Sequence, residues 1–405
     1  MREDELDYSP GSVGGILQAI RGGGVVSRSS LARATGLAPS TVSLRVDALI
    51  DLGLVREGGE AASRGGRRPR EVSLDPRAGF VAAAEFGARH VRLALSDATG
   101  GVLIEADSSD GGLPPLPITE GPEPTARALW DGMMDLAARA DLAPERFLGA
   151  AIGIPAPVEY RTGRVTTPSF MPSWHGIELP RAFAELTDRP IVAENDANLI
   201  ALSETVGAAP GHGRHLFAVK LGSRIGSGLI WNGRLYRGFG GAAGEMAHTG
   251  VFGEAALPCT CPVPNCLEAV AGGGALVSRL RNLGFEVEST ADVVELGAAG
   301  VAEAVAALRG AGARIGEVIG SMVNLLNPRE VVLAGTMSQS TPLVAAIKAE
   351  VFQRAIPTVT EHLQIQTTRH PRDAGIIGAT ELILGEVLAP SRINALAASY
   401  SRAAS

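Results

Sequence analysis

The chain has 405 residues, of which 45% are hydrophobic and 20% charged, and its formal net charge is −7. That length fits two or three domains with sizeable cores. No run of about 18 apolar residues occurs, which excludes an apolar membrane span, and the acidic start MREDELDYSP lacks the apolar core of a secretory leader, so a cytoplasmic protein is expected. The charge is unevenly spread. Residues 12–70 hold nine Arg against four Asp and Glu, a local excess of +5, which leaves −12 for the remainder. A basic head on an acidic body assigns phosphate contact to one module. Arginine carries nearly all the positive charge, and Lys220 and Lys348 are the two lysines.

Taken in chain order, Val13–Ile20 reads as a first helix. Ser27 is placed to cap a second, carrying Leu31, Ala32 and Ala34, which Gly36 ends in a tight turn. A third helix starts near Pro39 or Ser40, with Val42, Val46, Leu49 and Ile50 as one apolar stripe. The remaining face is expected to present Ser40, Thr41, Ser43 and Arg45, short hydroxyls and a guanidinium suited to phosphates and base edges. Leu54–Arg56 and Glu71–Leu74 read as strands around a Gly-rich loop with Arg64, Arg67, Arg68 and Arg70. Such a loop suits a wing that lays arginines in a minor groove, although an Arg run alone also suits a solvated linker. Turn, stripe and wing in this order predict a winged helix-turn-helix domain over residues 1–75, with double-stranded operator DNA as its partner.

The body repeats itself. Strands are expected at 80–86, 91–96 and 102–106, and again at 216–221, 228–231 and 234–236, the last pair joined by the hairpin signal Asn232-Gly233. Each set is followed by helices and a further strand, 148–154 in the first half and 330–334 in the second; the first-half helix spans 125–140, and the Pro-rich run 111–124 reads as a surface loop. This predicts an α/β fold of two like lobes with a ligand cleft between them. All three cysteines, Cys259, Cys261 and Cys266, fall within eight residues, with His248 eleven residues upstream. Three thiolates and an imidazole make a tetrahedral set for Zn²⁺, and the clustering fits metal binding better than a disulfide framework.

Five motifs then carry a resemblance: GIPAPV at 153–158, ENDAN at 194–198, GSRIGSG at 222–228, GAAGEMAH at 241–248, and the Cys run ending in Glu268. With them the chain resembles the ROK family (repressors, open reading frames and sugar kinases) over nearly its full length. Its helix-turn-helix head is similar to that of the family's regulators, such as xylose and N-acetylglucosamine repressors. The resemblance implies a duplicated, sugar kinase-like (actin/hexokinase-like) body. One lobe is expected over 76–193 plus a C-terminal helix at 375–405, the other over 194–374 with the zinc loop. It further implies a sugar or sugar derivative held by Asn195, Asp196, Glu245, His248 and Glu268, with His248 facing zinc through one ring nitrogen and the sugar through the other. Four protein ligands leave no open position, so the zinc is expected to be structural. A homodimer or homotetramer on a palindromic operator, and no membrane partner, complete the expected set.

The chain departs from the family pattern in two places. Relatives carry glycines in the cysteine run where this chain has Pro262 and Asn265, so a differently turned loop is expected. The two loops that hold ATP in the kinases are also altered, to Glu85-Phe86-Gly87-Ala88-Arg89-His90 and to Gly222–Gly228 with Arg224 in a glycine position. Asp196, the kinase base, is therefore expected to survive as a sugar ligand, with no catalytic residue, and the expected function is a sugar-responsive transcriptional regulator, a repressor. The alternatives are a sugar kinase with an appended DNA-binding head, and a regulator controlled by another protein. Trp174 is a candidate for stacking on a sugar, and Arg224 for meeting an anionic ligand, with a surface ion pair as its plainer role.

Overall fold

The computed structural model describes residues 9–24, 26–60, 70–87, 90–114, 116–166, 172–208 and 213–403. The head begins with α1 (Val13–Gly23), capped by the Ser12 side chain on the Gly15 N–H. A two-residue strand β1 (Val26–Ser27) leads into α2 (Arg28–Thr35), where Ser27 and Ser30 form a reciprocal capping box. Gly36 takes φ 70°, which glycine reaches without a Cβ clash, and turns the chain into α3 (Pro39–Asp51), with Pro39 in the first turn. β2 (Val55–Glu60) and β3 (Arg70–Leu74) pair antiparallel, and β1 adds to the far edge of β3. The strand β1 has no sequence signature, because two residues show no periodicity.

The body contains two five-stranded sheets of the same order and sense. The first is β10 (Ile191–Asn195), β7 (Phe147–Ile154), β4 (Phe80–Phe86), β5 (Val91–Asp97), β6 (Val102–Asp107). The second is β15 (Gln364–Thr367), β14 (Glu330–Ala334), β11 (His215–Leu221), β12 (Ile225–Trp231), β13 (Arg234–Leu235). In each, the first three strands in sequence form an antiparallel meander and the last two run parallel to its first strand. The duplication read from the sequence is therefore structural. The strand expected at 228–231 begins at Ile225, since Gly226 and Gly228 hide the alternation a strand would otherwise show. A small hairpin, β8 (Val158–Glu159) and β9 (Arg164–Val165), follows β7.

Helices cover the sheets. In the first half α4 (Pro122–Arg139) starts three residues earlier than expected, with Pro122 at its first turn, and α5 (Leu179–Ala182) is short. α6 (Asp196–Ser203) springs directly from β10. The second half carries α7 (Leu267–Ala271), α8 (Gly273–Asn282), α9 (Thr290–Ala298), α10 (Ala302–Leu326), α11 (Thr341–Arg354) and α12 (Pro357–Thr360). No single helix among the described residues is long and apolar enough to cross a membrane.

The C-terminal helix expected over 375–405 is two helices, α13 (Ala374–Val387) and α14 (Pro390–Ala403), broken ahead of Pro390. α13 lies on β4, β7 and α6, as a first-lobe helix should. α14 instead packs on α1 of the head. Gly14 N–H donates to Asn394 Oδ1 (2.9 Å), Gln18 Nε2 to the Leu388 carbonyl (2.8 Å), and Arg21 pairs with Glu381 (2.8 Å). Ile16, Leu17, Val46 and Leu49 of the head share one continuous buried cluster with Ile376, Ile383, Leu388 and Ile393. The apolar surface of the head is thus buried together with α13 and α14 and not by the head alone.

Candidate functional site

Two backbone connections build the metal centre. Leu267 N–H donates to the Thr249 carbonyl (2.8 Å) and Val251 N–H to the Asn265 carbonyl (3.0 Å), lashing the loop after His248 to the cysteine run. One donor atom from each of His248, Cys259, Cys261 and Cys266 then falls within 4.8 Å of all the others. His248 Nδ1 lies 3.7 Å from Cys259 Sγ. A tetrahedron with Zn–S bonds of about 2.3 Å has edges of about 3.8 Å, so the donor set and its spacing fit such an ion. Burial, with Arg224 nearby, lowers the His248 pKa and keeps the imidazole in the neutral, ligating form. Asn265 has φ 46°, the left-handed region that glycine favours and asparagine tolerates. At this position asparagine therefore keeps a conformation that glycine would also adopt.

The second ring nitrogen, His248 Nε2, faces Glu245 Oε2 at 3.8 Å. The Glu245 side chain is 38% exposed, and its carboxyl sits above the ordinary value because of desolvation and the proximity of Asp196. Asp196 opens α6 and is nearly buried, while Asn195 is the cap, accepting from the N–H groups of Ala197 (2.9 Å) and Asn198 (3.2 Å) and donating to the Ala156 carbonyl (3.1 Å). Asn195 is thus largely spent on holding α6, and Asp196 is the residue it aims. Gly228 lets α6 lie against β12, since a Cβ there would strike the backbone of Ala197 and Asn198. Asp196 Oδ2 accepts from Lys220 Nζ on β11. Glu268 is buried and accepts the Ile225 N–H (2.7 Å), which ties the helix behind the cysteine run to the β11–β12 turn. Burial raises its carboxyl, against the pull of that N–H and of Arg224.

Several expected site residues lie elsewhere. Trp174 is 1% exposed, donates its indole N–H to the Ile118 carbonyl (3.0 Å) and stands edge-on to Phe86 at 5.8 Å; it is a core residue, which removes it as a stacking platform. Glu194 of ENDAN is also internal: it accepts from Arg237 Nε (2.6 Å) and Asn198 Nδ2 (2.9 Å). Ala88 and Arg89 of the first altered loop lie outside the described residues. In the second, Gly222–Arg224 is a tight turn whose Gly222 and Ser223 carbonyls accept from Gly273 and Gly274 at the start of α8.

On the head, Ser40 is exposed and Thr41 and Ser43 half-buried. Arg45 is turned away from the expected outer face: its Nε donates to the Gly11 carbonyl (3.1 Å). At 100° per residue it lies much nearer the Val42–Val46–Leu49 stripe than the opposite face, which Ser40, Leu44 and Asp47 occupy. Leu44 is 63% exposed there, an apolar residue that the polar expectation passed over. Arg70 starts β3 and reaches Glu57 at 3.4 Å; Arg64, Arg67 and Arg68 lie outside the described residues.

With this geometry in place, the likeness to known proteins can be read. The sequence profile of the ROK family matches residues 81–386, and that of a winged helix-turn-helix DNA-binding domain matches residues 14–56. The chain belongs to the ROK family. It is 28% identical over 375 residues to a xylose repressor from Bacillus spizizenii, covering 92% of this chain and 94% of the repressor. The crystal structure of a ROK family transcriptional regulator, a homologue of the E. coli MLC protein, matches with a TM-score of 0.78 at 23% identity, over 94% of this chain and 96% of that one. A ROK hexokinase from Thermus thermophilus matches with a TM-score of 0.62 at 27% identity, over 76% of this chain and 99% of the enzyme. The enzyme thus matches this ROK chain without its head, and the regulators match it with one.

Proposed function

We propose that this ROK protein is a sugar-responsive transcriptional repressor. Its winged helix-turn-helix head binds operator DNA, and a sugar or sugar derivative in the cleft between the lobes releases it. One observation carries the reading: the carboxylates of Asp196 and Glu245 and the imidazole of His248 lie close together in a body that shares a buried cluster with its winged helix-turn-helix head. Carboxylates accept paired hydroxyl donors, which suits a pyranose, and burial strengthens those bonds. The domains are the head at 1–75, a first lobe expected at 76–193, whose sheet runs on to Asn195 and which α13 completes, and a second lobe from α6 to residue 373; α14 binds the head to the first lobe. A structural zinc ion at His248, Cys259, Cys261 and Cys266 would hold the ring nitrogen facing Glu245 in place, the usual task of a ligand's outer side. The protein is read as cytoplasmic and as a homodimer, which a palindromic operator requires.

A physical route joins the cleft to the head. Asp196 opens α6, and α6 crosses α13 at Gly378, where a Cβ would strike the Leu199 backbone. α13 continues into α14, and α14 holds α1. Closure of the lobes on a sugar would move α6 and carry this chain of packed helices with it. The sugar must prefer the arrangement that binds DNA poorly, since a ligand shifts an equilibrium only by its differential affinity.

The test is a thermal-shift screen of sugars and sugar derivatives on the full chain, followed by operator binding with each hit. A stabilising sugar that weakens operator binding, with the response lost in Glu245→Ala while basal DNA binding remains, is the expected result. No stabilisation by any sugar would remove the reading. The second reading, a sugar kinase, is favoured by Asp196 in the place of the family's base. We read the chain as non-enzymatic because Arg224 crowds the turn where a phosphate would approach. ATP consumption with a sugar, abolished in Asp196→Asn, would reverse that conclusion.

A further inference from the structure

Lys220 is a buried charged group that no part of the reading above uses. It is one of two lysines in an arginine-rich chain and sits next to the end of β11, on the second lobe's sheet. Its side chain is 24% exposed, its neighbours in the sheet are Gly226 and Ala334, and its ammonium donates to Asp196 Oδ2 at the start of α6. Glu85 of β4, on the first lobe, lies within its electrostatic reach; Gly375 makes room for that carboxyl, since a Cβ there would collide with it. One ammonium therefore stands between the Asp196 carboxylate at the start of α6 and the Glu85 carboxyl of the first sheet. Burial lowers the Lys220 pKa, but Asp196 and Glu85 outweigh it and the net shift is upward, so the group stays charged.

We propose that Lys220 is a ligand-contacting residue of the sugar site, donating to the sugar oxygen next to the hydroxyl that Asp196 accepts, and that the pair selects uncharged sugars over phosphorylated ones. This rests on the sugar-effector reading. An ammonium has three donors and Asp196 takes one. Asp196 is bonded through Oδ2, leaving Oδ1 for a hydroxyl. Donor and acceptor lie side by side, the arrangement that reads two neighbouring oxygens of a sugar. The charge balance sets the ligand class. Lys220 is already offset by Asp196 in contact and Glu85 nearby, Arg92, which also acts on Glu85, is paired with Asp373 and Glu105, and Glu245 and Glu268 add two more carboxyls against Arg224. A phosphate dianion would enter a site with no surplus positive charge, whereas a neutral polyol meets only donors and acceptors.

The two lysines make a direct test possible in the intact, unmutated protein. Lysine labelled with ¹³C at the ε-carbon gives two side-chain signals, assigned with Lys348→Arg. D-xylose, D-glucose, N-acetyl-D-glucosamine and glucose 6-phosphate are titrated in turn, with thermal stabilisation recorded in parallel. The expected result is that a stabilising neutral sugar moves the Lys220 signal and leaves Lys348 in place, and that glucose 6-phosphate does neither. Lys220→Met should then lower affinity for that sugar by about tenfold or more, the scale of a charge-assisted hydrogen bond, with operator binding confirming the fold. A sugar that stabilises the protein while the Lys220 signal stays fixed overturns the proposal and leaves the sugar reading standing. Tighter binding of glucose 6-phosphate than of any neutral probe overturns the selectivity. Failure of all four probes to bind counts against the sugar reading itself, and Lys220 falls with it.

Discussion

Arg45 and Leu44 are adjacent in sequence and turn to different faces of α3. A guanidinium on a recognition helix invites assignment to DNA, yet Arg45 anchors the start of α1 through the Gly11 carbonyl, while Leu44 stands in solvent on the outer face. Substituting each separates the two contributions. Arg45→Ala should cost the head about 1 kcal/mol through a lost, half-buried hydrogen bond, seen as a lower Tm, and weaken operator binding only as a consequence. Leu44→Ala should leave Tm unchanged and weaken operator binding directly, through lost apolar contact with a base edge. Equal effects on Tm would contradict this assignment. At the metal centre, Cys261→Ser removes one of four converging donors. Metal content by mass spectrometry and Tm should both fall, because metal-binding energy at a closed site is folding energy; a variant that retains full metal would refute the ligand set.

Among the helices, close backbone approach is decided at single glycines. Gly14 lets α1 meet the start of α14, where a Cβ would overlap the Pro390 backbone, and Gly378 does the same between α13 and α6. Gly14→Val should force α14 off the head and raise hydrogen exchange in α1 and α14 together. Gly378→Val should push α6 and α13 apart. If these helices carry the signal from the cleft, sugar affinity will change less than about threefold while the sugar's effect on operator binding is lost, a coupling of the usual few kcal/mol or less. Parallel loss of both would instead mean that the substitution disrupts the cleft.

For the molecule as a whole, one basic head on an acidic body makes DNA contact local, and the proposed homodimer would place two heads on one operator. Half-sites should lie about one helical turn, or a multiple of it, apart. Inserting about five base pairs between them should abolish tight binding by putting the two recognition helices on opposite faces of the duplex; gel-shift titrations of the two operators would measure this. Retained affinity would mean that each head binds alone.

Much of this was legible along the chain because it depends on near neighbours. Ser27, Gly36 and Pro39 govern the local turn of the backbone, so the helix-turn-helix could be read from them, as could the strand–turn–strand repeats and a cysteine cluster confined to eight residues. What the sequence by itself determined is therefore the head, the duplicated body and the set of four donors that converge at residues 248–266. Tertiary structure alone decided which side chains remain for a ligand. Trp174 went to the core, Asn195 to a helix cap, Glu268 to a backbone N–H, and α14 to the head. Lys220 reached Asp196 across 24 positions of sequence and from a different sheet. Those outcomes depend on hydrogen-bond partners and apolar surfaces supplied by distant segments, and no local pattern records which of them a side chain will meet.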